Sequence, residues 1–258
     1  MSERAAIAVD DLVVVRMGQD GPRTILAGVT LEVARGEAVA VVGPSGCGKS
    51  TLLAVVAGLD GADEGGVALG GDATAPRPGR VTLMPQADAL LPWRTAGENV
   101  ALAARLGGAS RSRSREIAAA ALADLGLADH AEQYPHALSG GMRQRVSLAR
   151  TLAADTRTWL LDEPFGALDA LTRMRLQREL DAVRRARRAT VLLVTHDLDE
   201  ALLLADRVLV ASPRPMRIVA EVRVDLPPPS DAAATTDPRF IAAKRTLLDA
   251  LAGAGAPT

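Results

Sequence analysis

Residues Gly43-Pro44-Ser45-Gly46-Cys47-Gly48-Lys49-Ser50-Thr51 follow directly on the apolar run Ala38-Val39-Ala40-Val41-Val42. A G-x4-G-K-[ST] spacing between a strand-like run and a helix-like one is a phosphate-binding loop. Its glycines let successive backbone N–H groups turn around an anion with no Cβ in the way. Lys49 adds a mobile positive charge for the β- and γ-phosphates, and the Ser50 hydroxyl is the expected Mg²⁺ ligand. The helix read over 49–57 and stopped by Gly58 aims the positive end of its dipole at the same anion.

A chain of 258 residues holds one large α/β domain or two small ones and buries a substantial core. Hydrophobic residues make up 48% and charged residues 24%, the profile of a globular protein. No apolar stretch approaches the ~20 residues a membrane span requires. The start, Met-Ser-Glu-Arg, lacks the basic-then-apolar order of a signal peptide. A cytosolic chain that meets membranes only through partners is therefore expected. A formal net charge of −1 argues against a general field for nucleic acid. The clusters Arg111, Arg113, Arg115 and Arg184, Arg185, Arg187, Arg188 read as solvated surface. The single cysteine, Cys47, excludes an internal disulfide. Its place in the loop predicts that alkylation blocks nucleotide binding and that ATP protects.

Strands are expected at 12–15 and 29–33, joined through the Gly- and Pro-bearing segment 18–22, and again at 38–42. A Gly-rich stretch over 58–80 precedes a short strand at 81–84. From about 94 to 154 the pattern is helical, with Ile117, Ala121 and Leu125 on one face and Met142, Val146, Ala149 and Ala153 on another. Strand signals return at 159–161 and 191–194 around a charged helix over 171–188, and Leu198, Ala201, Leu202 and Ala205 mark a further helix. Residues 225–238 read as a linker before a terminal helix at 238–252. Strands alternating with helices imply an α/β fold with a mostly parallel sheet covered on both faces, carrying the block at 94–154 as a helical insert.

A phosphate loop needs an acidic element for its metal. Trp159-Leu160-Leu161 leads into Asp162-Glu163, placing two carboxylates at the C-terminal end of a buried strand, where parallel sheets bind ligands. Asp162 is suited to hold Mg²⁺ through water, and Glu163 to polarise the attacking water. Leu138-Ser139-Gly140-Gly141-Met142-Arg143-Gln144 opens a helix with Ser139 as a good N-cap and two glycines that admit an anion. A chain that already has a complete loop has no need of this second phosphate-binding terminus for its own nucleotide. A two-fold dimer with exchanged contacts would use it.

In this order, these segments resemble the signature of the ABC transporter ATPases, and the resemblance covers nearly the whole chain. It implies an α/β P-loop NTPase fold with a RecA-like core at about 1–93 and 155–215, the helical insert at 94–154 and a C-terminal tail at 216–258, all one ATPase domain. Gln86 matches the glutamine that links the Mg²⁺ site to the membrane subunit. Ala167-Leu168-Asp169 matches the loop that crosses the dimer interface, and His196 the histidine that contacts the γ-phosphate. His130 and His136 match nothing. The implied site uses Lys49, Gln86, Glu163 and His196 in catalysis, and Ser50, Gln86 and Asp162 at the metal. Residues 43–51 of one copy and Ser139, Gly140 and Gly141 of the other hold ATP.

The family usually stacks adenine on an aromatic residue near the N-terminus. Met17 occupies that position here, and no Phe, Tyr or Trp precedes Trp93. A thioether packs on a purine less specifically than a ring, so weak discrimination of ATP from GTP is expected. Leu90-Leu91-Pro92-Trp93-Arg94 and the run from Asp162 to Arg173 resemble the nitrate, sulfonate and taurine importers. Met84-Pro85-Gln86 resembles their members for thiamine-precursor pyrimidines. Integral permease subunits and, indirectly, a solute-binding protein are the implied partners, at the cytoplasmic face of the membrane. An exporter is one rival. Another is an ABC ATPase acting on nucleic acid or ribosomes, although such proteins usually carry two cassettes or a long coiled-coil insert. A small GTPase would need an Asn-Lys-x-Asp motif, but the only asparagine, Asn99, precedes Val100. A P-loop kinase leaves residues 139–141 unexplained.

Overall fold

In the computed structural model, residues 5–73, 79–226 and 235–254 are described. The chain divides into two compact units, 1–78 with 177–258 and 79–176.

The first unit starts with strands β1 (Ala5–Gly18) and β2 (Gly21–Ala34), a long antiparallel hairpin turning at Gln19 and Asp20. Its strands extend well beyond the expected 12–15 and 29–33, because pairing recruits polar flanks that carry no apolar signal alone. Strand β3 (Ala38–Val42) is buried along its whole length. The phosphate loop leads from it into helix α1 (Lys49–Ala57), which Gly58 terminates in a left-handed conformation. The stretch at 58–80 is not only loop: β4 (Glu64–Leu69) lies inside it and pairs antiparallel with β1, opposite β2. Gly65 and Gly66 hid this strand, whose partner sets it rather than its own propensity.

In the second unit, β5 (Thr82–Met84) is followed by α2 (Ala96–Leu106), α3 (Arg111–Asp124) and α4 (Gly140–Ala153), which pack on one another. Strand β6 (Thr158–Asp162) then runs parallel to β5. Helix α2 begins with a capping box between Thr95 and Glu98, and Ser110 caps α3. The buried face of α3 is Ser114, Ala118 and Leu122, one residue round from the expected Ile117 and Ala121; Leu125 beyond its end is buried as expected. Ser114 can enter the core because its hydroxyl donates to the Arg111 carbonyl at 3.0 Å.

Helix α5 (Ala170–Arg187) leads to β7 (Thr190–Thr195), α6 (Leu198–Leu204), β8 (Arg207–Ala211), β9 (Ile218–Arg223) and α7 (Pro238–Ala254). Strand β3 sits between β7 and β8 and is parallel to both, while β9 adds antiparallel to β8. The continuous apolar runs of β3 and β7 are therefore the buried centre of a parallel sheet. Each Val or Leu removed from water there contributes roughly 1.5–3 kcal/mol. Arg184 is not solvated surface, being 5% exposed. Its guanidinium pairs with Asp181 at 2.9 Å and Asp206 at 3.1 Å, and Asp206 in turn accepts the Ala38 N–H. The other three arginines of that cluster are exposed to differing degrees. Most of the expected linker, 227–234, lies outside the described residues. Among the described residues no helix is long and apolar enough to cross a membrane.

Candidate functional site

The first unit presents the phosphate loop. Gly48 has φ 132, a conformation closed to other residues, and a Cβ there would stand 2.9 Å from Leu26 Cδ2. The loop thus lies directly on β2. No side chain caps α1, so its first N–H groups remain available to an anion. Lys49 Nζ donates to the carbonyls of Gly43 (2.8 Å) and Pro44 (2.9 Å), which sets the ammonium inside the loop. Around Gly46 there is open space for 4 Å where a side chain would start, and Pro44, Ser45 and Ser50 are exposed. This donor set fits a phosphate chain, and the exposed Ser50 hydroxyl fits a hard cation.

Cys47 is buried at 2% exposure. In this conformation the thiol is closed to an alkylating reagent, so the expected alkylation requires the loop to open. Arg214 was not anticipated from sequence. It donates to the Gly46 carbonyl at 2.6 Å, from a segment stitched to β2 by Met216 N–H to the Ile25 carbonyl and Ala27 N–H to the Met216 carbonyl. Met17, near the end of the hairpin, is 80% exposed. Exposed His196 follows β7, and the Thr195 hydroxyl fixes the turn by accepting the Asp197 N–H and donating to Glu200.

The second unit gathers Gln86, Asp162, Glu163 and the start of α4. Asp162 ends β6 as a buried carboxylate, and Glu163 begins a turn with φ 47. Gln86 Nε2 donates to Glu163 Oε2 at 3.1 Å, which brings together two residues distant in sequence. Ser139 is the N-cap of α4, its Oγ accepting the Met142 N–H at 3.2 Å. The chain just after Gln86 is tied to the same helix. Arg143 pairs with Asp88 at 2.7 Å, while Arg150 donates to the carbonyls of Ala89 (2.6 Å) and Asp88 (3.0 Å). Asp169 caps α5 through the Thr172 N–H, and these Thr172 bonds hold its carboxyl below the usual range. Asn99, 1% exposed, bonds Leu91, Arg94 and Thr95, so the segment carrying the 70% exposed Trp93 is fixed to α2. His136 stacks on Tyr134, and His130 is only partly buried. Gln144, Arg150 and Arg214 bind backbone at long sequence separation, and Arg143 reaches the Asp88 carboxylate 55 residues away, for which no local pattern exists.

The ABC transporter family model matches residues 26–166. The chain is 50% identical to an aliphatic sulfonates import ATP-binding protein, SsuB 2, of Burkholderia cenocepacia, over 89% of this chain and 83% of that protein. It is 44% identical to the taurine import ATP-binding protein TauB of Chromobacterium violaceum, over 95% of each. Among solved structures, the dimeric ATP-binding cassette MJ0796 in a post-hydrolysis state with ADP and Pi superposes with a TM-score of 0.78 at 28% identity. That match covers 84% of this chain and 98% of the cassette. A phosphate loop on β2, a capped helix at Ser139 and an acidic turn after β6 are thus found in a chain that belongs to the ABC transporter ATP-binding family, with its P-loop NTPase fold.

Proposed function

We propose that this chain is the ATP-hydrolysing subunit of a bacterial ABC importer for a small solute of the sulfonate or taurine type, with nitrate and thiamine-precursor pyrimidines as further candidates. The observation that carries the reading is the 44% identity to a taurine import ATP-binding protein along 95% of both chains. It acts as one ATPase domain with its helical insert at 94–154.

In this reading residues 43–51 bind the triphosphate, Lys49 neutralises the β- and γ-phosphates, and Met17 packs on adenine. Ser50, Gln86 and, through water, Asp162 would hold Mg²⁺, which when bound would supply positive charge to the phosphates. Glu163 polarises the attacking water and His196 contacts the γ-phosphate. Residues 139–141 of a second copy complete each site, a reading supported by the dimeric state of the similar cassette MJ0796. ATP performs work because it binds the closed dimer better than the open one. Closure is transmitted to integral permease subunits at the cytoplasmic face of the membrane through the Gln86 segment and the helical insert.

Growth of a chromosomal Lys49→Ala strain tests this. Taurine or alkanesulfonates serve as sole sulfur source, nitrate as nitrogen source, and precursor pyrimidine feeds a strain unable to make its own. A defect on one nutrient, relieved at high dose, identifies the solute. Normal growth on all of them removes the assignment to this solute class.

A further inference from the structure

We propose that Gln144 is a positioning residue that sets Glu163 in its working geometry and ties it to residues 139–141 of the same chain. This rests on the reading of Glu163 given under Proposed function. Glu163 has φ 47, a left-handed conformation that a non-glycine residue keeps only when its surroundings over-determine it. Those surroundings are specific. The Glu163 carbonyl accepts the Gly166 N–H at 3.2 Å and the Gln144 Nε2–H at 3.0 Å. Gln144 Oε1 accepts the Ala167 N–H at 2.8 Å. One planar amide therefore spans the turn from 163 to 167.

Its orientation follows from its partners, a carbonyl that only accepts and an N–H that only donates; a flipped amide would face like with like. Gln144 is 7% exposed, so water does not readily replace either bond. The same turn rests on the beginning of α4, where a Cβ on Gly141 would come within 3.3 Å of Leu168 Cδ2 and 3.4 Å of the Ala167 carbonyl. Helix α4 thus begins with the serine and glycines assigned to a partner's nucleotide, and carries, just beyond its first turn, the amide that holds Glu163. Any displacement of that helix end shifts the amide and the carboxylate with it. Because misplacement on the ångström scale costs about 10²-fold in rate, the link couples one site to the other.

The test uses the full chain and compares wild type, Gln144→Leu, Gln144→Glu and Glu163→Gln. Gln144→Leu is expected to lower kcat about 10- to 100-fold while KM for ATP stays within about twofold. The double variant Gln144→Leu/Glu163→Gln should still accumulate the ATP dimer at the concentrations that suffice for Glu163→Gln alone. If Gln144→Leu does not fold, Gln144→Glu decides. Its carboxylate keeps the acceptor for Ala167 and loses the donor to Glu163, and protonation restores an O–H donor. Its kcat relative to wild type at equal pH should therefore recover as pH falls. A folded Gln144→Leu protein with wild-type kcat, or a Gln144→Glu to wild-type ratio that is flat with pH, overturns the proposal. Unimpaired turnover in Glu163→Gln removes the role of Glu163 first, and this proposal with it.

Discussion

The phosphate loop and the acidic turn hold their shapes by different means. At 43–51 most of the geometry comes from contiguous residues: Lys49 folds back on Gly43 and Pro44, and Gly48 supplies the one backbone conformation that lets the chain enter α1. At 162–167 the turn depends on side chains brought from elsewhere, Gln86 on the Glu163 carboxylate and Gln144 on its carbonyl. A loop built by its own backbone tolerates change around it but not within it. A turn held by distant amides can be loosened without any residue of the turn being touched. That separation suits a machine whose binding step and chemical step must respond to different events.

Substitutions break or sharpen this contrast, starting with the most severe. Lys49→Ala should abolish nucleotide binding or hydrolysis, read as turnover at background and loss of ATP retention in equilibrium binding. Glu163→Gln should lower kcat by about 10²–10⁴-fold while ATP binding persists and a closed dimer accumulates in size-exclusion chromatography. Gly48→Ala forces a Cβ into a φ of 132 and toward Leu26, which costs on the order of 1–3 kcal/mol; KM for ATP should rise roughly 10- to 100-fold. Arg214→Ala removes one hydrogen bond to Gly46, of about 0.5–1.5 kcal/mol, and should raise KM some two- to tenfold at constant kcat. Met17→Tyr, at an 80% exposed position, should increase the preference for ATP over GTP by about two- to tenfold in competition assays. An unchanged preference would detach Met17 from adenine.

Legibility in the sequence follows the same division. The loop, its flanking strand and the stop at Gly58 were readable because a glycine pattern and an apolar run are local signals. Ser139 was readable as a cap for the same reason. Strand β4 was not, since Glu64-Gly65-Gly66 carries no strand propensity and forms through pairing with β1. Arg184 looked like surface because its partners Asp181 and Asp206 give it an interior role only once the chain is folded. Gln144 stands within the motif 138–144, yet its amide bonds reach a turn that starts 19 residues away. Side chains that bind backbone at long range leave no periodicity to detect.

The chain has two tryptophans, Trp93 and Trp159, and both belong to the 79–176 unit. Trp159 is fully buried, with its indole N–H on the Thr156 carbonyl, whereas Trp93 is 70% exposed on the segment fixed by Asn99. Intrinsic fluorescence is therefore silent about the unit that carries the phosphate loop. Iodide should quench Trp93 and spare Trp159, giving two resolvable emission components. A change in the quenchable component on adding ATP would be an optical record of the second unit responding to an event at the first, obtained without attaching any label.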